Sequence, residues 1–476
     1  MSNKNQLYLF IVFFSCIISR ILTSIFYIED TDSLRFAFSL TDYDLGKLQP
    51  HFPGYPVFCF FAKILYLITN SMGLTFSLIG GLSIFFIIYY MLRLDHNEID
   101  SKVGMFVVFI IFFNPLFWLM SNRYMPDLMG LALLTIILYQ LIRRSDNLRS
   151  LYIGYFLSGL LAGTRLSYLP ILIIPFFNQL MKNKNRLKLI SSFGLGVFVW
   201  LIPLIWITGL DKLWLLATNQ TYGHFMDFGG SIITDNSLTT RFSNLFESIW
   251  ADGLGGYWAG RSLDTAIFSF FLAFLSFIGI KTITENWKFE KCFKIVCGSV
   301  ILYLIWIFLF QNVIYKARHI LPVLILFILI ISSGFHYLLE KKSTISKISL
   351  LLFCVLLIKI TTTLVLDHKN PTAIAQLKND IEKNNTSTII STPLINYYLK
   401  SSSVNATLID FDDEKSLTRH INEKNDDSIL MVGNFQSLFI NNFIIEPNKT
   451  FFHNPYINRM WSEIDTYYLI EDPNLK

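Results

Sequence analysis

The chain is apolar almost without pause from residue 7 to residue 366, and short polar stretches divide it into runs of membrane-spanning length. Runs near 6–28, 74–92, 103–121, 128–142, 150–163, 168–181, 189–208, 264–281, 295–311, 319–339 and 348–366 predict eleven transmembrane helices. A further run, 57–69, would rise only about 20 Å as a helix, short of a hydrocarbon core of about 30 Å. It is read as a juxtamembrane helix lying in the outer interface. From Asp367 onwards the pattern changes to Asn, Lys, Asp and Ser. There, strand-like runs at 388–392, 406–411 and 428–433 alternate with helical patterns at 373–384, 394–400 and 414–425, which predicts a small α/β domain outside the membrane. The expected domains are therefore 1–366, transmembrane with outer loops 29–56 and 209–263, and 367–476, extracytoplasmic.

Composition agrees with a polytopic α-helical membrane protein and excludes a soluble globular one: 53% of residues are hydrophobic and 15% charged. The net charge of +5 conceals a split, because residues 367–476 hold 10 Lys/Arg against 15 Asp/Glu. The surplus of positive charge thus lies in the membrane half, where it reflects loop bias and not nucleic-acid binding. The amino terminus and loops 93–102, 143–149, 182–188, 281–294 and 340–347 carry 17 Lys/Arg, whereas the turns 121–127, 163–168 and 312–318 carry 4. That asymmetry puts the amino terminus in the cytoplasm and the acidic loop, the 209–263 loop and the tail outside, with a bacterial inner membrane as the expected location. The first apolar segment has no small-x-small cleavage pattern and is read as an uncleaved helix. Five cysteines lie in or beside apolar segments and show no disulfide framework or CxxC spacing. In the tail Gly433 is the only glycine, so no nucleotide-binding loop is present, and packing or acceptor docking is the expected role.

One stretch departs from this economy. Residues 29–56, EDTDSLRFAFSLTDYDLGKLQPHFPGYP, place five carboxylates (Glu29, Asp30, Asp32, Asp42, Asp44) directly after the first span, where a plain connection would need none. Pro50, Pro53 and Pro56 then restrict the backbone while Gly54 permits a tight turn, giving a stiff approach to the next helix. Under the topology above, Asp30, Asp32, His51, Arg123, Asp127, Arg165, Arg318 and His319 all collect at the outer ends of spans. Ionisable groups placed there suggest function, since each is expensive beside the membrane core.

Asp32-Ser33 followed by an amphipathic stretch and His51-Phe52-Pro53-Gly54-Tyr55-Pro56 resembles the first external loop of GT-C class glycosyltransferases of the protein O-mannosyltransferase type. Ser33 stands where the second acid of a pair is usual, and Phe52 where a proline is commoner. The resemblance implies a GT-C-like fold and transfer of a sugar from a polyprenyl-phosphate carrier to a hydroxyl of a glycan, lipid or protein on the outer face. That reaction needs a base for the acceptor proton and cations for the departing phosphate. Asp32 is the expected base and Asp30 the alternative; the competing reading is that one of the two merely caps the helix that begins near Ser33. Arg318 and His319 resemble donor-phosphate ligands, and Arg165 serves equally as a phosphate ligand or as a snorkelling side chain. Asp127, His51 and Arg123 complete the candidate set; on its own, Asp127 reads as a helix-start acid complementing the dipole. The polyprenyl-phosphate sugar is the only co-substrate implied; the eight histidines show no metal-ligand spacing, and the acids leave room for a divalent ion without requiring one. A transporter or flippase is the rival class, but it favours inverted repeats and midplane polar groups, whereas these charges gather at one face. A cell-envelope polysaccharide polymerase or ligase would share the topology and the outer loop.

Topology is directly measurable. Reporters fused after Leu366 or at Lys476 should score as external and those at Arg144 or Lys184 as cytoplasmic; a cytoplasmic carboxyl terminus would overturn the eleven-span arrangement.

Overall fold

The computed structural model describes residues 3–234, 237–285, 291–312, 316–341, 343–384, 386–412, 429–439 and 443–471. The chain divides into two units, one of Met1–Phe26 and Arg35–Lys369, the other of Tyr27–Leu34 and Asn370–Lys476. In chain order the helices are α1 (Asn3–Leu22), α2 (Thr31–Phe38), α3 (Pro56–Thr69), α4 (Met72–Leu94), α5 (Lys102–Phe112), α6 (Pro115–Asn122), α7 (Asp127–Leu138), α8 (Leu148–Arg165) and α9 (Ile173–Lys182). They continue with α10 (Arg186–Thr208), α11 (Leu210–Met226), α12 (Leu238–Glu247), α13 (Leu263–Glu285), α14 (Lys291–Phe310), α15 (Leu324–Glu340), α16 (Thr344–Asp367), α17 (Ala373–Asn384) and α18 (Pro393–Ser401).

In hydrocarbon each backbone amide must find its partner within the segment, so uninterrupted apolar runs fold as helices. Among the described residues eight helical stretches are long and apolar enough to cross a bilayer, nine when the bent pair α5–α6 counts as one. The protein is an integral membrane protein. The α5–α6 bend of 52° follows from local chemistry. Asn114 caps α6 by accepting from Phe117 N at 2.9 Å, and Pro115 opens the helix, so one apolar run stops and restarts.

The stretch Leu148–Lys182 has the length of one long helix, 35 residues, but it folds back on itself. The Tyr155 hydroxyl donates to Phe176 O at 3.0 Å and the two rings stack at 4.4 Å. In a straight helix residues 21 positions apart would stand about 31 Å from one another. The reversal begins at Arg165 (φ −154°, ψ 85°) and continues through the 3₁₀ turn Leu166–Leu172, which contains Pro170. The helix α7 is short and ends in a π-helical turn, Tyr139–Arg143. This fold-back and the short α7 account for the difference between the long helices and the eleven apolar runs of the sequence. The span 209–263, expected as a loop, holds α11, α12 and the π-helical turn Ser248–Gly253. Its helical starts carry ordinary signals, with Asp211 in the first turn of α11 and Ser237 capping α12.

The 14-residue α3 is too short to span. Phe60, Phe61, Ile64, Leu67 and Ile68 form an exposed apolar stripe, and Val57, Phe58, Cys59 and Ala62 are buried. A helix that shows apolar residues on its exposed side suits a lipid environment. Elsewhere helices approach to backbone contact through small residues. On α8 and α10, a Cβ at Gly159 would overlap the Phe193 carbonyl oxygen and one at Gly196 the Phe156 oxygen; Gly279 on α13 and Gly334 on α15 meet in the same way.

Among the described residues of the second unit, five strands form a sheet of order β2-β1-β3-β5-β4. β1 (Thr388–Ser391), β2 (Thr407–Asp410) and β3 (Ile429–Val432) are parallel. β5 (Glu463–Glu471) runs antiparallel to both β3 and β4 (Phe443–Phe452). Ile390, Ile409, Met431, Phe443 and Leu469 form its core. The helical pattern read at 414–425 lies outside the described residues. The sequence patterns do not include the β4–β5 hairpin; β4 contains Pro447, which argues against a strand, but it is an edge strand with an irregular register between Pro447 and Thr450 that tolerates it.

The glycine crossing of α8 and α10 gives a stability test. Gly196→Leu must push the two helices apart and should cost about 1–3 kcal/mol, read as a lowered unfolding midpoint in detergent. An unchanged midpoint would mean that the helices do not pack backbone to backbone.

Candidate active site

The loop before α3 is held by its own polar groups. Asp44 accepts from Gly46 N at 2.8 Å, and its backbone pairs with Gln49 in both directions at 3.0 Å. Leu45 anchors the loop among Leu204 and Leu213. The Tyr43 hydroxyl donates to Gly54 O at 2.9 Å. Burial, reinforced by the neighbouring Cys59, holds that phenol well above its ordinary pKa, so it remains a donor. Gly54 (φ 84°) and Tyr55 (φ 46°) then take left-handed backbone angles that turn the chain into α3 at Pro56. The turn aims Tyr55 inward, where Phe36 packs against its ring at 4.9 Å and His51 Nε2 lies 3.1 Å from its hydroxyl.

The Tyr55 hydroxyl is also 3.2 Å from Arg165 Nη1, which links the loop to a buried charged cluster. Asp127, opening α7, is 0% exposed. Arg165 brings Nη2 to 2.8 Å from its Oδ1, and Arg318 brings Nε to 3.8 Å from the same atom. Both guanidiniums are buried. Arg318 and His319 lie on a 3₁₀ turn, Ala317–Val323, and Arg165 immediately precedes another, so each cation sits where a helix is interrupted. Tyr168 presents its ring 5.9 Å from Arg165, and the Tyr303 hydroxyl donates to His319 O at 2.9 Å. Gly130, almost one turn along α7 from Asp127, makes room: a Cβ there would sit 2.8 Å from Arg165 Cβ. Arg165 Nε, the Tyr168 hydroxyl and His319 Nδ1 are buried without a hydrogen-bond partner among the described residues. Two guanidiniums around one carboxylate, with spare buried N–H and O–H capacity beside them, can take an anionic oxygen.

The acids Asp30 and Asp32 belong to the second unit. Asp30 is the cap. Its Oδ1 accepts from Ser33 N at 2.7 Å at the start of α2, and its Oδ2 accepts from Asn458 Nδ2 at 3.0 Å. Asp32, one residue inside the helix, is also buried. The tail holds this segment closely. The Tyr398 hydroxyl donates to Ile28 O at 2.7 Å, and the Thr372 hydroxyl to Glu29 O at 3.1 Å. Burial, then the carboxylates of Asp30 and Glu29, push the Tyr398 phenol well above its ordinary range, so it stays a donor. Behind Asn458 stands His453. Its Nδ1 accepts from Ala373 N at 3.0 Å, which puts the proton on Nε2, 2.8 Å from Asn458 O.

Of the residues singled out in the sequence, Asp127, Arg165 and Arg318 come together directly and His51 joins through Tyr55. His319 adjoins Arg318, and Arg123 is buried where α6 ends, four residues before Asp127. Sequence reasoning missed Tyr55, Tyr168, Tyr303 and Asn458 as members of these networks. Tyr168, three residues after Arg165 in a run broken by Pro170, carried a faint signal; Tyr303 and Asn458 carried none. Arg20, inside α1, is fully buried. It stacks on Trp118 at 3.9 Å and Phe112 at 4.5 Å and donates to Phe112 O at 2.9 Å. Among the described residues no three His, Cys, Asp or Glu side chains converge as a metal site.

Removing one partner of a buried ion pair leaves the other charge uncompensated. Asp127→Asn should therefore lower the unfolding free energy in detergent by about 3–5 kcal/mol; a variant as stable as the parent would show that the carboxylate does not secure the arginines.

No family model matches the sequence, and no curated protein matches it. Solved structures do. ArnT from Cupriavidus metallidurans bound to undecaprenyl phosphate is similar with a TM-score of 0.52 and 9% identity, over 98% of this chain and 98% of that one. The apo state of the same protein gives a TM-score of 0.54 and 9% identity over 96% and 97% of the two chains. At this identity the likeness concerns the fold, and along nearly its whole length the chain has the ArnT-like, GT-C-like fold that the sequence implied.

Proposed function

We propose that the protein is a glycosyltransferase that moves a hexose or pentose from a polyprenyl-phosphate carrier to an acceptor hydroxyl of a glycan, lipid or protein on the outer face of a bacterial inner membrane. The observation that carries this reading is the buried cluster in which Arg165 and Arg318 share Asp127. Such a cluster is expensive in an apolar bundle unless an anion uses it. An ArnT structure of the same fold was solved with undecaprenyl phosphate bound, which supports a lipid phosphate as that anion.

In the proposed reaction the acceptor oxygen attacks the anomeric carbon of the donor, and the bond from that carbon to the phosphate oxygen breaks. The acceptor proton passes to the Asp32 carboxylate, and the electron pair leaves on the polyprenyl phosphate. Arg318 and Arg165, with His319 beside them, stabilise the phosphate charge by charge-assisted hydrogen bonds, and Asp127 holds the two guanidiniums in register. His51 orients Tyr55, which in turn holds Arg165, and Arg123 adds positive charge near Asp127. Asp30, which caps α2 and accepts from Asn458, is assigned a positioning role. The tail, through Asn458, Tyr398 and Thr372, holds the segment that carries the base.

Membranes containing the protein, given labelled polyprenyl-phosphate sugars, should pass label to an acceptor; label that crosses the membrane while still on the carrier would favour a transporter. Asp32→Asn should reduce transfer by roughly 10²- to 10⁴-fold, the usual worth of general-base catalysis, with donor binding retained. Asp30→Asn keeps the helix cap but sets an amide against the Asn458 amide, so its effect should appear as a loss of stability of about 1–3 kcal/mol. Full transfer by Asp32→Asn would remove it as the base, and transfer lost by Asp30→Asn alone would move the role there.

A further inference from the structure

We propose that the opposite end of the α7 helix carries a binding site for the phosphate headgroup of an anionic phospholipid. α7 and its π-helical turn run from Asp127 to Arg143, a rise of about 25 Å, so this end lies well away from the charged cluster. A cavity of about 410 Å³ opens here, between the end of α4, the π-helical turn and the start of α8. Arg93, Arg144 and Arg149 line it together with Tyr89 and Tyr139. None of the three arginines pairs with a carboxylate among the described residues.

A surplus of arginine at this end of the helices is ordinary loop bias, and snorkelling alone would explain exposed side chains. It does not explain the fixed geometry of Arg93. That guanidinium lies 4.4 Å from the Tyr89 ring centre and 5.9 Å from that of Tyr139, with Nη1 3.5 Å from the Tyr139 hydroxyl. A guanidinium stacked on a ring, with Nη1 on the Tyr139 hydroxyl, keeps its remaining N–H groups for a phosphate oxygen. The volume falls in the usual range for small-molecule sites. A lipid is favoured over a soluble phosphate because the cavity sits at the ends of apolar helices and its lining includes Ile153, an apolar residue that is 39% exposed and can lie along an acyl chain. An anion bound there would cross-link α4, α7 and α8. At their other ends α7 and α8 carry Asp127 and Arg165, so the headgroup would stiffen the pair of helices that hold the buried ion pair together.

The test uses the full chain in detergent, and its readout, thermal unfolding, does not depend on the glycosyl-transfer reading. Phosphatidylglycerol should raise the unfolding midpoint in a saturable way, while phosphatidylcholine and inorganic phosphate should not. Replacing Arg93, Arg144 and Arg149 by Gln should weaken the apparent affinity by on the order of tenfold or more, as expected for lost charge-assisted bonds. Single Arg149→Gln, on an exposed side chain, serves if the triple variant does not fold and should weaken it in the same direction. Lys184→Gln with Arg186→Gln and Lys188→Gln removes equal charge from a neighbouring loop and should leave the effect intact. Equal loss in both triple variants would reduce the effect to general charge attraction and overturn the site. Protection by inorganic phosphate that depends on the three arginines would overturn the lipid and leave a soluble phosphate as the ligand. No preference for phosphatidylglycerol over phosphatidylcholine would overturn the proposal outright.

Discussion

The bundle is organised by a single carboxylate that could not be where it is without two arginines. Taking an ion out of water costs several kcal/mol even after relaxation, and an apolar helix bundle offers little else to offset it. Asp127 therefore fixes where Arg165 and Arg318 must end up, and the backbone is broken to suit. Pro126 precedes α7, Arg165 leaves helical geometry at the end of α8, and Arg318 sits in a 3₁₀ turn before α15. Gly130 completes the arrangement by letting α8 approach α7 at the depth of the ion pair.

Most of the fold could be read from the chain because a bilayer enforces a simple rule, that apolar runs become helices. The same rule hid the rest. It has no term for the reversal within Leu148–Lys182, where Tyr155 meets Phe176, because both arms are apolar. Nor does it see α11 and α12, whose mixed composition resembles a loop until the Ser237 cap and the Asp211 first turn are weighed. In the tail the parallel strands announced themselves as short apolar runs, whereas β4 lies along a largely exposed edge and contains Pro447. The charged members of the cluster were legible for a similar reason, since an ionisable residue stands out in an oily sequence. Tyr55, Tyr168 and Tyr303 did not stand out, because tyrosine is unremarkable among 22 in the chain.

The two acids after the first span illustrate what composition cannot separate. Asp30 and Asp32 are two positions apart, and either is a plausible cap. In the structure Asp30 caps α2, spending one oxygen on Ser33 N and the other on Asn458. Asn458 is set in turn by His453, whose tautomer is dictated by Ala373 N. The polar tail, which reads in sequence as a separate domain for packing or acceptor docking, thus supplies the donors that fix the acidic segment.

α7 also shows how one short helix can present different chemistry at its two ends. Its N-terminus carries the positive end of the backbone dipole, which favours Asp127 and any anion brought beside it. Its C-terminus carries the negative end, which favours the guanidiniums of Arg143 and Arg144 at the π-helical turn. The dipole alone accounts for cations at that end, worth typically 0.3–1 kcal/mol each, but not for a cavity between them. A cation satisfied by the helix end would lie against its carbonyl groups. Arg143 does something close to this, donating to Leu94 O at 2.6 Å, whereas Arg93 is turned onto tyrosine rings beside the cavity. The difference between those two arginines is what separates an ordinary helix terminus from a place built to receive a further negative charge.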